Sequence, residues 1–580
     1  MASAITKTWI RMLARITSLA LLFVLFAPSD TFAQARNPVR AEHGMVVSTH
    51  FLASEVGRDV LARGGNAIDA TVATALALAV VHPSAGNIGG GGFIVYHGAD
   101  GEITSFNFRE KAPAAATRDM YLDAEGGIRD NANHDGPLSV GVPGTVAGLA
   151  LAHERLGSLP WGELVAPAIE LAEQGFAVPW DWDWFMEAMA AQASDPWYAE
   201  TARVFLNDGI PYETGDIIRQ PDLAKTLRRI QTDGHDGFYA GETARLLAAY
   251  MEKMGGIITE ADLAAYEAVE QPPVRGTFQG YDVISMAPPS SGGIALIQML
   301  NMLEPYRLQS IGHNSALYTH LLTESMRRAF ADRAYFIGDP AFNPNMPVSS
   351  LTSKDYAAGL RTSIDTTMAT PSDSSTFNSA LLGYESPETT HFSVVDGDGN
   401  AVSLTYTLEY SYGSRMTVEG AGFILNNEMG DFNPIPGVTT TTGLIGTDPN
   451  LVAPGKRMLS SMTPTIIARD GKPVLMIGSP GGRTIINTVL QVTLNVLVHD
   501  MNIAKAINAP RFHHQWLPDR LRLEGDGFSQ DTVELLRGYG HHVDVRGTQG
   551  RAMGIYWDPY LEMWTGAADP RSPSGSAAAY

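Results

Sequence analysis

Thr389-Thr390-His391-Phe392-Ser393-Val394-Val395, then Asp396-Gly397-Asp398-Gly399-Asn400, then Ala401 to Leu408, is the stretch that decides how this chain is read. Two apolar, β-branched runs flank a short Gly-rich turn, the pattern of a β-hairpin. Pairing symmetric about Asp398 sets Thr407 opposite Thr389 and brings a second hydroxyl within hydrogen-bonding reach of the first. If the bond after Glu388 breaks, Thr389 acquires a free α-amino group beside its own hydroxyl. Nucleophile and general base then share one residue. An α-amino group titrates near pH 8, so part of it is unprotonated at neutral pH and can take the hydroxyl proton. Taken alone, Thr-Thr-His also suits the plain start of a strand.

The surroundings extend this reading. From Ser363 to Glu388 the chain is rich in Ser and Thr, lacks periodicity, and reads as a mobile linker or an exposed loop. Gly64-Gly65 leads into an Ala-rich helix from Asn66 to about His82 that is apolar on nearly every face and hence buried. Further helices are expected at Pro143–Leu156, Trp161–Gln174 and Ser315–Tyr335, with strands at Gly92–Tyr96 and Tyr281–Ser285. Helices and strands are mixed throughout, without an internal repeat. Gly89 to Gly92 follows a helix and precedes a strand, the reverse of the dinucleotide-binding order, and reads as close packing.

Val474 to Thr484 reads as strand, glycine turn (Gly478-Ser479-Pro480-Gly481-Gly482) and helix start, an arrangement that leaves backbone NH groups available to a developing oxyanion. A plain tight turn has the same pattern. No Gly-Lys-Ser/Thr follows and no Gly-x-Ser-x-Gly is present, so a phosphate loop and a serine elbow lack support. Asp396 to Asn400 resembles the start of a calcium loop, but Ala401 stands at its sixth position and Thr407 at its twelfth, which rules against calcium. The pairs His513-His514 and His541-His542 point to opposite faces of an extended chain, so they read as structural or surface histidines and no metal site is expected.

Residues 1–33 carry Lys7, Arg11 and Arg15, an apolar run from Ile16 to Phe26, and Thr31-Phe32-Ala33, the pattern of a cleaved secretory signal. The run is about 11 residues, against roughly 20 for a membrane span. There is no cysteine, which excludes disulfides, thiolate metal sites and a cysteine nucleophile. A net charge of -22 argues against nucleic acid or an anionic membrane surface as partner.

Glu388-Thr389-Thr390-His391-Phe392-Ser393, Thr405-Tyr406-Thr407, Ile424 to Phe432 (Ile-Leu-Asn-Asn-Glu-Met-Gly-Asp-Phe), Leu459-Ser460-Ser461-Met462 and Gly478-Ser479-Pro480-Gly481-Gly482 together resemble the γ-glutamyltransferases, also called γ-glutamyltranspeptidases. The likeness runs from about Ala41 to Tyr580. It implies an N-terminal nucleophile hydrolase, an α+β four-layer αββα sandwich formed jointly by a large chain, 34–388, and a small chain, 389–580, after self-cleavage. By resemblance, Thr389 attacks the carbonyl of Glu388 during maturation, and the same hydroxyl later attacks the γ-amide of glutathione or another γ-glutamyl compound. The γ-glutamyl ester then passes to water or to an amino acid or dipeptide acceptor.

The resemblance further implies that Gly481 and Gly482 form the oxyanion hole and that Thr407 supports the nucleophile. Arg109 matches the clamp for the substrate carboxylate, helped by Ser460 and Ser461, and a planar guanidinium suits that task. Glu428 and Asp431 match the residues that hold the α-ammonium. Glu409 stands where many members carry Asn and adds negative charge near that ammonium. Residues Pro436 to Pro454 look like a lid loop, with Thr442 where an aromatic gate is expected and Met458 where Pro is common. No cofactor is implied, and export points to the periplasm or beyond the cell. Two other readings remain: a related acylase for glutaryl or other β-lactam side chains, and an uncut exported binding protein.

Overall fold

The hairpin forms with the expected register. In the computed structural model, which describes residues 37–372 and 389–580, Thr390 pairs with Tyr406, His391 with Thr405 and Val395 with Ala401. Asp396 closes the turn. Its backbone NH donates to Asn400 O at 3.1 Å, and its carboxylate accepts from the NH groups of Asp398 and Asn400 and from Ala67. With its oxygens committed to the turn, Asp396 acts structurally, in line with the rejection of calcium there.

Fourteen strands build two seven-stranded sheets. In chain order they are β1 (Val39–Ala41), β2 (Met45–Ser48), β3 (Gly91–His97), β4 (Ile103–Asn107), β5 (Val269–Gln271), β6 (Val274–Phe278), β7 (Tyr281–Ser285), β8 (Thr390–Val395), β9 (Ala401–Thr407), β10 (Thr465–Arg469), β11 (Lys472–Gly478), β12 (Met553–Asp558), β13 (Met563–Ala568) and β14 (Ser576–Ala579). One sheet runs β1-β13-β12-β11-β10-β7-β6 and the other β14-β2-β8-β9-β3-β4-β5. Every pairing within them is antiparallel.

The sheets face each other through β8 and β9. Ser403 Oγ donates to Ile477 O, and Ser393 Oγ to Met553 O, both at 3.2 Å. Phe392, Val394, Val402 and Leu404 point the other way, into a core shared with helices α1 (Phe51–Ala62) and α2 (Ala67–Val81). A second core joins the other sheet to helices Gly292–Leu303, Ala316–Phe336 and Thr484–Leu497. Strands β8 and β9 are buried on both faces, and the polar side chains of His391, Ser393, Ser403 and Thr405 between the sheets are hydrogen-bonded there.

Helix α2 is buried at every position and starts at Asn66, whose side chain caps Ile68 and Asp69 while Asp69 accepts from the Asn66 NH. Helix Trp161–Gln174 and strand Tyr281–Ser285 lie where the sequence puts them. The helix expected from Pro143 begins at Thr145, because Gly144 and Thr145 both donate to Gly90 O at 2.7 and 3.0 Å and the chain must first make that contact. The Gly89–Gly92 run packs closely, as expected: a Cβ at Gly90 would stand 2.1 Å from Thr407 O, and one at Gly92 2.4 Å from Thr405 O.

The linker is less loose than its composition suggests. Up to Ser372 it is tied down: Ala369 N donates to Tyr539 O at 2.7 Å, Thr370 N to Glu324 at 3.2 Å and Ser372 N to Asp519 at 2.8 Å. Partners from distant helices, invisible in a local reading, supply these bonds. Glu388, the rest of the linker and the signal-peptide reading of residues 1–33 lie outside the described residues. Among the described residues, no helix is long and apolar enough to cross a membrane.

Candidate active site

Thr389 is the residue before β8, and the hairpin register carries its hydroxyl to Thr407 at the end of β9. Thr389 Oγ1 donates to Thr407 Oγ1 at 3.5 Å, and both residues are buried. Thr407 Oγ1 also accepts from the Glu409 NH at 2.8 Å. Asn87 fixes the strand end by donating to Thr407 O at 2.9 Å. One open cavity of about 1100 Å³, including its mouth, is lined by Thr389, Thr407, Arg109, Glu409, Glu428, Asp431, Ser460, Ser461 and Gly482, while Gly481, Thr442 and Met458 are not part of its lining.

Gly481 and Gly482 turn the chain from β11 into the helix that begins at Thr484, with φ of +134° and +55°. A side chain is disfavoured at both angles. Gly481 O accepts from Thr484 N at 3.0 Å, which anchors the helix start. Among the described residues, the NH groups of Gly481 and Gly482 have no acceptor. Two unengaged donors beside a helix N-terminus are suited to negative charge.

Arg109 is fully buried on the other side of the cavity. Its guanidinium contacts Glu428 at 2.6 Å, pairs with Asp431, and reaches Glu110 at 3.4 Å. It also donates to Leu459 O at 3.3 Å, directly before Ser460 and Ser461. Ser461 Oγ accepts from Arg333 at 3.0 Å, and Ser460 Oγ accepts from Met462 N. The sequence assigned Arg109 to a carboxylate and Glu428 with Asp431 to an ammonium. In this ligand-free arrangement the opposite charges meet one another.

Around Arg109 the carboxylates outnumber the cation, while Arg333 and Arg483 lie elsewhere on the cavity lining. One guanidinium faces Glu428, Asp431 and Glu110, with Glu409 on the same cavity wall. Burial pushes the Glu110 carboxyl up to about 7, against the pull of Arg109. Burial and the neighbouring carboxylates push Glu428 well above its ordinary range. The Arg109 contact lies outside hydrogen-bond geometry, and both Glu428 carboxylate oxygens lack a donor. A buried acceptor of this kind, aligned with a cavity, is suited to an ammonium with three N–H groups.

Three titratable cavity residues, His134, Arg333 and Arg483, had no signal in the sequence reading, and neither did Glu110, which contacts Arg109. Glu110 follows Arg109 directly in the sequence and was open to notice. The loop from Pro436 contributes Gly443, Leu444 and Ile445 to the cavity, and Thr442 meets Thr440 Oγ1 at 2.7 Å. The histidine pairs are buried at His513, His514 and His541. His541 joins His320 at 2.7 Å near Glu324, a trio whose atoms lie close enough to be read as a metal cluster. The His–His hydrogen bond, together with Arg327 and Arg328 on Glu324, accounts for these contacts as structural.

Residues 53–579 match the family model described as gamma-glutamyltranspeptidase. The glutathione hydrolase proenzyme of Escherichia coli (strain K12) is 46% identical over 546 residues, which cover 94% of this chain and 93% of that protein. The solved cephalosporin acylase from Bacillus halodurans shares the fold, with a TM-score of 0.82 at 27% identity over 96% of this chain and 99% of its own. A chain of Helicobacter pylori gamma-glutamyltranspeptidase is 44% identical, with a TM-score of 0.56, over 57% of this chain and 95% of its own. A family model that spans nearly all described residues, and a relative this similar over 93% of its length, leave one conclusion: the chain belongs to the γ-glutamyltranspeptidase family.

Proposed function

We propose that this protein is a self-cleaving γ-glutamyltransferase and glutathione hydrolase. Its maturation cuts before Thr389 and leaves a large chain, 34–388, and a small chain, 389–580, that together form a four-layer αββα sandwich of the N-terminal nucleophile hydrolase type. Export under the signal of residues 1–33 puts it in the periplasm or outside the cell. The observation that carries the reading is a single cavity shared by the Thr389–Thr407 hydroxyl pair and the Arg109–Glu428–Asp431 charge cluster. Support for two chains comes from the Helicobacter pylori chain, which is matched almost completely yet covers only 57% of this one.

In maturation the Thr389 hydroxyl attacks the Glu388 carbonyl, the peptide C–N bond breaks and frees the α-amino group, which takes up the hydroxyl proton, and water then hydrolyses the resulting ester to release the Thr389 hydroxyl and the Glu388 carboxyl group. In turnover that amino group takes the hydroxyl proton as Thr389 Oγ1 bonds to the γ-carbonyl carbon. Gly481 and Gly482 NH groups stabilise the oxyanion. As the intermediate collapses, the leaving amine carries off the proton, and Thr389 holds the γ-glutamyl ester. Water then gives glutamate, or an acceptor amine gives a new γ-glutamyl amide, and the hydroxyl is restored. Arg109 with Ser460 and Ser461 holds the donor's α-carboxylate, and Glu428, Asp431 and Glu409 hold its ammonium. No cofactor takes part. A glutaryl donor, lacking the ammonium, would leave the acidic excess unpaired, which favours γ-glutamyl donors over the acylase reading.

Intact mass and N-terminal sequencing of the purified protein test this, with glutamate release from glutathione as the activity. Two chains are expected, the smaller beginning Thr389-Thr390-His391, with Thr389→Ala remaining one inactive chain. A folded, uncut wild type would overturn the proposal and support a binding protein. A cut enzyme that prefers glutaryl anilide would support the acylase.

A further inference from the structure

His134 stands in a loop far from the catalytic strands, yet its imidazole meets the catalytic hairpin. His134 Nδ1 lies 3.1 and 3.4 Å from the two carboxylate oxygens of Glu409, and both side chains are about nine-tenths buried at the cavity wall. Its ring stacks on Tyr410, with centroids 4.9 Å apart and planes at 11°. Asn427 locks the arrangement from below: its Nδ2 donates to His134 O at 3.1 Å, and its Oδ1 accepts from Tyr410 N at 3.0 Å.

Glu409 needs such support. Its φ is +77°, a left-handed conformation that glycine or asparagine adopts readily and a longer side chain resists. In that conformation its NH donates to Thr407 Oγ1, the oxygen to which the nucleophile Thr389 donates in turn. A continuous series of hydrogen bonds thus runs from His134 through the Glu409 side chain and backbone to Thr407 and Thr389. The fit is close: a Cβ at Gly430 would stand 2.2 Å from His134 Nδ1 and 2.9 Å from Glu409 Oε2.

We propose that His134 is a positioning residue of the catalytic site, holding the left-handed Glu409 turn and with it both the Glu409 carboxylate that faces the donor's ammonium and the Thr407 hydroxyl that orients Thr389. The ammonium half of this inference rests on the proposed γ-glutamyl activity, and the Thr407 half does not. An asparagine at position 409 would adopt the positive φ unaided and present no carboxylate to hold, so it should make His134 dispensable.

The test is a double-mutant cycle of His134→Ala and Glu409→Asn, read as kcat/KM on γ-glutamyl and glutaryl p-nitroanilides and as the rate at which the precursor becomes two chains. His134→Ala alone should lower kcat/KM for the γ-glutamyl donor about tenfold, the scale of one charge-assisted hydrogen bond. It should reduce turnover of the glutaryl donor less and slow self-cleavage. In the Glu409→Asn background the same substitution should change each rate less than twofold, and His134→Gln, which keeps a donor, should recover part of the loss. Gly430→Ala displaces the imidazole without removing it and should reproduce the His134→Ala pattern, so the outcome does not depend on one variant folding. Equal losses in both backgrounds, or no loss in His134→Ala and Gly430→Ala, would overturn the inference. A cut wild type without γ-glutamyl turnover would instead defeat the functional reading, and the self-cleavage rates would still decide the Thr407 half.

Discussion

Glu428 carries a fully buried carboxylate that touches Arg109 and still leaves both oxygens without a hydrogen-bond donor. Such a group costs stability until an N–H donor reaches it, which is the pattern of a site held ready for its ligand. Glu428→Gln should therefore act in opposite directions: KM for a γ-glutamyl donor should rise about tenfold to a hundredfold, while the midpoint of thermal unfolding stays level or rises. A fall in both would mean that Glu428 serves structure rather than ligand. At this scale the sequence was readable where chemistry and local spacing coincide. Thr389 stood out by its chemistry, and Thr407 was placed opposite it by counting a register symmetric about Asp398, which the hairpin keeps. His134 and Arg333 were missed because their partners, Glu409 and Ser461, lie 275 and 128 residues away. No local pattern encodes such a contact.

The hairpin of β8 and β9 is the element on which the site depends, and its inner face is polar where it meets the other sheet. His391 accepts or donates to Thr405 at 2.8 Å and Ser393 at 3.1 Å, and burial drives its pKa down to about 3, which keeps it neutral. A Cβ at Gly478, on the facing strand β11, would stand 2.3 Å from His391 Nδ1. The ring is held on both nitrogens and has nowhere to move. Gly478→Ala should then cost about 1–3 kcal/mol by overpacking and slow self-cleavage, measurable by chemical unfolding of the uncut Thr389→Ala background. An unchanged midpoint would show that the sheets separate at no cost. Helices and strands were legible here wherever periodicity and capping agreed, as at Asn66 and in Trp161–Gln174. They shifted where a long-range contact overrode the local signal, as at Gly144.

Seven histidines, His50, His82, His313, His391, His513, His514 and His541, have their pKa values lowered to about 3 or 4, chiefly by burial. Unfolding frees them to bind protons near pH 6.5, so the unfolded state takes up more protons below that pH and stability falls as the solution is acidified. Glu110, Glu428 and Asp332, whose carboxyls are raised by burial, act in the opposite sense. The histidines outnumber them. The apparent Tm should be nearly level from pH 8 to 7 and fall steadily from about 6.5 toward 4.5; a Tm that rises on acidification would contradict this balance. The assignment to mixed helices and antiparallel strands was legible from the sequence. The facing of two sheets came only from the family resemblance and not from local pattern, since β1 and β13, or β2 and β14, come from opposite ends of the chain.

That last pairing also sets a timetable. Strand β14 closes the edge of the sheet that bears Thr390, through β2, and Tyr580 N reaches back to Gly44 O. A ribosome delivers the nucleophile long before it delivers the strand that completes its frame. Activation accordingly waits on synthesis of the whole chain, and a nascent chain carries its reactive threonine before the frame that aligns it is complete.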